Sequence, residues 1–130
     1  MSQADVDVVE QFLKAFQAGD VETAFGLIHP DFVIDEGYGL PYAGVFTGLA
    51  GLQEVVTKIM TPMEMVVDDY TVSDGGDCAI TRLTMTFTSR SSGRSLTIPG
   101  VEIYNTKDGQ VSKIDVYYKS THAMAELAAE

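Results

Sequence analysis

The fold is decided by residues 78–105, which read CAITRLTMTFTSRSSGRSLTIPGVEIYN. Two long runs flank the segment 91–93, whose Ser-Ser-Gly composition is typical of a hairpin turn. In the first run apolar and polar residues alternate, which predicts a strand with one face in the core. The apolar set is Leu83, Met85 and Phe87, and Arg82 belongs to the set that faces outward. These residues therefore predict a long antiparallel hairpin.

Two further strands extend this hairpin into a meander. The four predicted strands cover 64–73, 78–90, 94–105 and 110–119, and glycine-containing turns join them at 74–77, 91–93 and 107–109. Strands of this length must twist and curl. Helices laid across the concave side of such a sheet leave a cone whose mouth is a natural pocket.

Helical patterns precede the meander. The remaining predicted elements are helices over 4–18, 20–28, 49–60 and 121–129, a strand over 31–38 and a loop over 37–48. Pro30 is expected to end the second helix, where His29 would bond the last-turn carbonyls. We therefore predict a single α+β domain over residues 1–130, a cone-shaped α+β barrel. Its curved, mostly antiparallel sheet has the N-terminal helices packed on the concave face.

Composition narrows the possible partners and location. The 130 residues are 45% hydrophobic and 21% charged, as is typical of a globular domain. A net charge of −11 argues against nucleic acid and anionic membranes, since phosphates would be repelled. The single cysteine, Cys78, permits no intramolecular disulfide. We see no signal segment and no apolar run of membrane length, so we expect a cytoplasmic protein.

Glu36 is the first catalytic candidate. By the period of two it shares a strand face with Phe32, Ile34 and Tyr38. A carboxylate on an apolar face is disfavoured unless it is paired or protonated. Desolvation would raise its pKa into the range that suits a general acid or base. The alternative is that Glu36 lies beyond the end of the strand as a surface charge.

Glu102 is the second candidate, because it shares the parity of Ile98 and Tyr104 on its strand. Facing inward, it could be a protonated hydrogen-bond donor or an acid partner for Glu36. Two carboxylates in one dry site cannot both ionise easily, which separates their pKa values. The alternative is an ion pair at a dimer face.

Tyr118 is the third candidate. It shares the more apolar face of the last strand with Ile114 and Val116, and could donate its hydroxyl into the pocket. Asp115 then faces outward. A plain core tyrosine is the alternative.

Apolar and aromatic side chains are expected to line the pocket. The predicted substrate-binding residues are Phe12, Phe16, Tyr38, Tyr42, Met60, Leu83, Met85, Ile98 and Val116. No metal-ligand spacing and no phosphate- or dinucleotide-binding motif occurs in the chain. We therefore expect neither a metal nor another cofactor.

Several motifs resemble one known family. They are the Ala-Gly-Asp turn at 18–20, Leu-Pro-Tyr-Ala-Gly at 40–44, Glu-Ile-Tyr at 102–104 and Ile-Asp-Val-Tyr-Tyr at 114–118. Together they resemble the SnoaL-like branch of the nuclear transport factor 2-like superfamily, over nearly the whole chain. The resemblance implies the cone fold and a small, mostly apolar ligand of polyketide, terpenoid or steroid type, usually without a cofactor.

The resemblance also suggests roles for individual residues. Relatives include ketosteroid isomerases, polyketide cyclases and limonene epoxide hydrolases. Similarity to the isomerases places Glu36 at the general-base aspartate and Glu102 at a protonated aspartic acid of the oxyanion hole. Phe12 replaces the donor tyrosine of the first helix and cannot donate. The Asp–Arg–Asp set of the epoxide hydrolases is replaced by apolar residues, at Leu83, Met85 and Val116.

Three functional hypotheses follow. The first is a cofactor-independent isomerase, cyclase or epoxide hydrolase, in which Glu36 moves a proton while Glu102 and Tyr118 stabilise the oxyanion or deliver the proton. The second is a ligand-binding protein with the same pocket and no chemistry. The third is an accessory module whose outer sheet face forms a homodimer or a heteromeric contact.

Overall fold

A six-stranded sheet organises the chain, and the computed structural model describes all residues 1–130. The elements in chain order are α1 (Gln3–Gln17), α2 (Val21–Phe25), β1 (Ile28–Glu36), β2 (Gly44–Thr47), α3 (Gly48–Met60), β3 (Met63–Asp74), β4 (Ala79–Ser89), β5 (Ser95–Lys107), β6 (Gln110–Tyr118) and α4 (Thr121–Ala128). The predicted four-strand meander is confirmed as β3 to β6, with ends that differ by one or two residues.

The sheet has the order β2-β1-β6-β5-β4-β3. Only β1 and β6 run parallel, and every other neighbouring pair is antiparallel. The sheet is curved and does not close on itself, since β2 and β3 form its two edges. The predicted cone-shaped α+β fold is confirmed. Because β1 and β6 are parallel, their carboxyl ends meet at the same rim of the cone.

Helices α1 and α3 cover the concave face of the sheet. Helix α1 begins with a capping box between Ser2 and Asp5, and buries Val6, Val9, Phe12, Leu13 and Ala15. Helix α3 lies close to β2, where a Cβ on Gly51 would come within 2.8 Å of the Phe46 carbonyl carbon. Only glycine allows that approach. No helix of the structure is long and apolar enough to cross a membrane.

The predicted second helix is too long. Helix α2 ends at Phe25, and β1 begins at Ile28, so His29 and Pro30 lie in a strand. The pairing of β1 with β6 is irregular between Ile28 and Val33, and a proline without an N–H is tolerated at such an irregularity. His29 does not bond helix carbonyls: its Nδ1 accepts the N–H of Asp31 at 2.9 Å.

The predicted loop 37–48 is also partly wrong. It contains β2, whose four residues pair antiparallel with the end of β1. Strand β1 ends at Glu36, so the period of two no longer applies to Tyr38, which is 93% exposed. Tyr38 therefore does not share the inward face with Phe32 and Ile34.

Candidate functional site

One row of inward-facing residues crosses four strands of the sheet. Thr81, Glu102 and Val116 are direct neighbours on β4, β5 and β6. On the far side of β6, Asp35 pairs with Asp115, so Glu36 continues the row beside Val116. The backbones that carry Glu36 and Glu102 are therefore two strand spacings apart, about 9.6 Å. Both carboxyl side chains face the same cavity.

Glu36 is buried at the end of β1, with only 4% of its surface exposed. Its Oε2 atom has no hydrogen-bond partner. Burial raises the pKa of Glu36 to about 8, and the nearby charges of Glu102 and Asp35 add to the rise. The alternative of a surface charge beyond the strand is therefore wrong, and Glu36 holds its proton at neutral pH.

Glu102 faces the cavity from β5 and has a hydrogen-bond donor. The Tyr104 hydroxyl donates to Glu102 Oε1 over 2.7 Å. Burial raises the pKa of Glu102 to about 7, and the bond from Tyr104 opposes the rise. No lysine or arginine forms an ion pair with Glu36 or Glu102. The site thus holds two carboxyl groups with raised pKa values and no cation.

Three tyrosines surround the two carboxyl groups. Burial raises the pKa of Tyr104 and of Tyr118 well above the ordinary value, and nearby carboxylates raise both further. Tyr42 is buried, its hydroxyl has no partner, and its pKa is raised by burial and by Glu36. All three hydroxyls keep their protons and can act as donors.

Sequence reasoning missed Tyr104 and Thr81 as polar members of the site. The i, i+2 spacing of Glu102 and Tyr104 was the available signal, because it puts both side chains on one strand face. Thr81 is fully buried and its Oγ1 has no partner. No pattern within β4 could have matched Thr81 to Glu102, since that pairing depends on the register between strands.

Part of the predicted set of site residues borders one interior cavity. The interior cavity is bordered by all three predicted catalytic residues and by four predicted binding residues, Phe12, Phe16, Leu83 and Met85. Its volume is about 60 Å³. Ligand pockets commonly measure about 300–1,000 Å³, so a ligand must also use space outside this cavity or displace side chains. Met65 and Met85 in the wall are flexible enough to move.

The other five predicted binding residues do not border the interior cavity. Ile98 and Tyr42 are buried in the core, and Met60 packs against it. Val116 and Tyr38 line a cleft outside the rim, which also contains Asp115. Arg82 lines a groove of about 740 Å³ that includes outward-facing residues of β4, β5 and β6. His29 is not part of any of these spaces.

The cleft outside the rim measures about 420 Å³. It shares two residues with the interior cavity, Glu36 and Tyr118. These are the last residues of β1 and β6, the two parallel strands whose ends meet there. Glu36 therefore borders both an apolar interior and a larger, more open space.

These features define a class: a cone-shaped α+β protein with a carboxyl-bearing pocket at the mouth of the sheet. The model of the SnoaL-like domain family matches residues 9–114, and the chain belongs to that family. This confirms the resemblance drawn from the motifs. No curated protein matches the sequence.

Solved structures share the fold at low sequence identity. TerC co-crystallised with polyporic acid superposes with a TM-score of 0.87 at 21% identity, covering 98% of this chain and 100% of TerC. An NTF2-like protein of unknown function from Burkholderia pseudomallei has a TM-score of 0.87 at 21% identity, with full coverage of both chains. A candidate polyketide cyclase from Xanthomonas campestris has a TM-score of 0.83 at 17% identity, covering 97% of each chain. At these identities the likeness shows the fold alone.

Proposed function

We propose that the protein is a cofactor-independent enzyme of isomerase or cyclase type that transfers a proton on a small, mostly apolar ligand. The observation that carries the proposal is the pair Glu36 and Glu102, which face one cavity without any cation. Perturbed carboxyl groups of this kind are typical of acid–base sites. The epoxide hydrolase alternative is weaker, because apolar Leu83, Met85 and Val116 occupy the positions of its charged set.

In the proposed reaction Glu36 removes a proton from a carbon next to a ligand carbonyl. The electron pair moves onto the carbonyl oxygen, which Glu102 in its protonated form or Tyr118 stabilises by hydrogen bonding. Glu36 then returns the proton at another carbon, or the carbanion attacks a second carbonyl to close a ring and the alkoxide that forms takes the proton from Glu36. Phe12 contributes apolar surface to the site and no donor.

The proton occupancy of the pair predicts a pH optimum. With pKa values of about 7 for Glu102 and about 8 for Glu36, the pair holds a single proton mainly between those values. Most of that single proton lies on Glu36, and the productive form, with Glu36 ionised and Glu102 protonated, is the smaller fraction of the same one-proton state. Both one-proton forms depend on pH in the same way. We therefore expect kcat/KM to rise toward neutral pH, peak between about 7 and 8, and fall above that range.

Similar folds support a small organic ligand. TerC was co-crystallised with polyporic acid, and other solved structures of this fold are candidate polyketide cyclases. We extend the expectation of a small organic ligand to this chain. Such a ligand would have its reactive carbon at Glu36 and extend from the interior cavity into the cleft outside the rim.

The test begins with the compound that the purified protein retains, identified by mass spectrometry. Incubation of that compound in D2O should show enzyme-dependent deuterium incorporation at a carbon next to a carbonyl. Glu36→Gln should lower the exchange rate by about 100-fold or more, the usual contribution of a general base. Glu10→Gln, on the exposed side of α1, is the matched control and should not change it. Equal rates in wild type and Glu36→Gln would refute the base role.

The ligand-binding alternative predicts a different result from the same experiment. It is favoured by Phe12, which supplies no donor where the isomerases have a tyrosine. A tightly retained compound that gains no deuterium in wild-type protein, at any pH between 6 and 9, would support a binding protein without chemistry.

We also propose a homodimer through the outer face of the sheet. Val66 on β3 and Ile80 on β4 are exposed apolar side chains there, at 51% and 38%. Sedimentation velocity should give a dimer in wild type and a shift to monomer in Val66→Asp/Ile80→Asp. A wild-type monomer at all concentrations would refute the dimer.

A further inference from the structure

The cleft outside the rim has an unusual composition. Three of its side chains are carboxyl groups and three are tyrosines, and none is basic. They are Asp35, Glu36, Asp115, Tyr38, Tyr117 and Tyr118. Its volume of about 420 Å³ falls within the range of small-molecule sites.

Two of the carboxylates face each other directly. Asp35 and Asp115 are partners in the parallel pairing of β1 with β6, and both are partly buried. Like charges directly opposite on neighbouring strands destabilise a sheet. No lysine, arginine or histidine forms an ion pair with either one, although other acidic residues such as Asp31 and Glu64 have such partners. The single recorded donor is the Tyr117 hydroxyl, at 3.0 Å from Asp115 Oδ2.

Glu36 supplies a second, independent indication of a ligand. It borders the cleft at the end of β1, is 4% exposed, and its Oε2 has no hydrogen-bond partner. A buried carboxyl oxygen without a donor is costly unless something donates to it. No protein group donates to it, and the buried Tyr42 hydroxyl is likewise without a partner.

Aromatic faces complete the surroundings. Tyr38 is 93% exposed and Tyr117 is 54% exposed, both beside the acidic pair. An aromatic face attracts an organic cation through its quadrupole, and the attraction adds to that of a carboxylate. No three His, Cys, Asp or Glu side chains of the structure, those of the cleft included, are close enough together to hold a metal ion. The cleft is therefore better suited to a bulky organic cation than to a metal.

We propose that this cleft binds the protonated amine or quaternary ammonium group of an otherwise apolar small molecule. Asp35 and Asp115 neutralise the cation, and Tyr38 and Tyr117 cover it with their rings. The apolar remainder of the molecule reaches past Glu36 and Tyr118 toward the interior cavity. The inference rests on the proposed function, because it names the chemical class of that function's ligand.

Binding of a cation at this place also has a consequence for Glu36. The charge of Asp35 is one of the causes that raise the pKa of Glu36. A cation held by Asp35 removes that repulsion and favours the ionised form of Glu36. The ligand thus helps to convert Glu36 from a protonated acid into the base that the reaction requires.

The test compares two probes that differ only in charge. Phenethylamine and 2-phenylethanol have the same carbon skeleton, and at pH 7 only the first is a cation. Titration calorimetry or NMR should give a Kd at least about tenfold lower for phenethylamine, a difference of about 1.4 kcal/mol. Asp35→Asn/Asp115→Asn should abolish this preference, whereas Glu10→Gln should keep it. Both aspartates lose a repulsive neighbour in the double variant, so it should fold.

Two outcomes would overturn the proposal: equal affinity for the two probes, or a preference that survives in Asp35→Asn/Asp115→Asn. A third outcome is that wild type shows no probe preference and the double variant loses self-association. That result would assign Asp35 and Asp115 to a contact between copies of the chain and would also overturn the proposal. The experiments distinguish failure of the cation site from failure of the proposed catalytic function. A charge preference without any Glu36-dependent deuterium exchange refutes catalysis alone, and exchange without a charge preference refutes the cation site alone.

Discussion

Two carboxyl groups of this chain lie in opposite surroundings, one at the start of α1 and one at the end of β1. Asp5 accepts three hydrogen bonds, from the Ser2 N–H at 3.1 Å, the Ser2 hydroxyl at 2.8 Å and the Thr106 hydroxyl at 2.9 Å. These donors lower the pKa of Asp5. Glu36 has no donor to Oε2 and its pKa is raised to about 8.

The surroundings of Asp5 and Glu36 distinguish a carboxyl group with a structural role from one in the candidate site. A carboxylate that stabilises a fold is surrounded by donors, as Asp5 is in its capping box. Glu36 is kept from water, from donors and from cations, although the chain has eight lysines and arginines. Such an arrangement costs stability whenever Glu36 ionises, and the proposed proton transfer would explain why the cost is tolerated.

The largest expected effect concerns the pH dependence of stability. The pKa of Glu36 is higher in the folded state than its ordinary value of 4.5. The stability that protonated Glu36 contributes is therefore fully present below about pH 4.5 and is lost as pH rises through about 8. Glu36→Gln cannot ionise and should remove most of that loss. At pH 9 the variant should therefore be more stable than wild type by on the order of 3 kcal/mol.

Urea denaturation from pH 4 to pH 9 would measure this difference. Glu10→Gln, an exposed acid on α1, should follow the wild-type curve. If Glu36→Gln kept the same decline between pH 5 and pH 9 as wild type, the carboxyl group would not be desolvated as described, and the contrast with Asp5 would fail.

The second-largest effect is expected at Tyr104, whose hydroxyl donates a hydrogen bond to Glu102. Tyr104→Phe removes the hydroxyl that donates to Glu102 and should raise the pKa of Glu102 above about 7. Loss of a buried bond to a charged group should lower the free energy of unfolding by about 1–2 kcal/mol above pH 8. The difference should shrink in acid, where Glu102 is protonated.

Carboxyl-carbon NMR titration of both proteins would measure the pKa, and denaturation at two pH values would measure the stability. Tyr70→Phe on β3 is the control, since the Tyr70 hydroxyl forms no hydrogen bond and its side chain is half-buried, whereas that of Tyr104 is fully buried. A pKa of Glu102 that does not move in Tyr104→Phe would show that Tyr104 does not govern its ionisation.

The fold and the two acidic candidates could be predicted from the sequence for a common reason. Alternation within one strand fixes which side chains face inward, so Glu36 and Glu102 follow from the parity of their neighbours. That argument fails where a strand ends, as at Tyr38, and where tertiary pairing extends a strand through Pro30. It also says nothing about contacts between strands, so the pairing of Thr81 with Glu102 was out of its reach.

Thr81 allows a smaller test of the same contrast between partnered and unpartnered groups. Its Oγ1 is buried without a partner, whereas the Thr86 hydroxyl on the same strand donates to Asp68 at 2.6 Å. Valine has nearly the same shape as threonine and suits a strand. Thr81→Val should raise the free energy of unfolding by up to about 1 kcal/mol, and Thr86→Val should lower it by about 0.5–1 kcal/mol.

Thermal denaturation of the two variants would distinguish them by sign. A loss of stability in Thr81→Val would mean that its hydroxyl has a partner in solution, and Glu102 on the neighbouring strand would be the first candidate.

The smallest effect is expected at Asp5, where the sign with pH is reversed. The pKa of Asp5 is lowered by its hydrogen bonds with Ser2 and Thr106, so the stability it contributes is present above its ordinary value of 3.8 and is lost as pH falls below that. Asp5→Asn should therefore differ from wild type mainly at and above pH 4, by an amount that added salt reduces, because the group is solvent-accessible. The difference in denaturation midpoint between Asp5→Asn and wild type should stay constant from pH 6 to pH 9, the range in which Glu36→Gln changes most. A difference confined to alkaline pH would contradict the assignment of Asp5 as a donor-stabilised structural acid, and the two carboxyl groups would then no longer be distinguished by their donors.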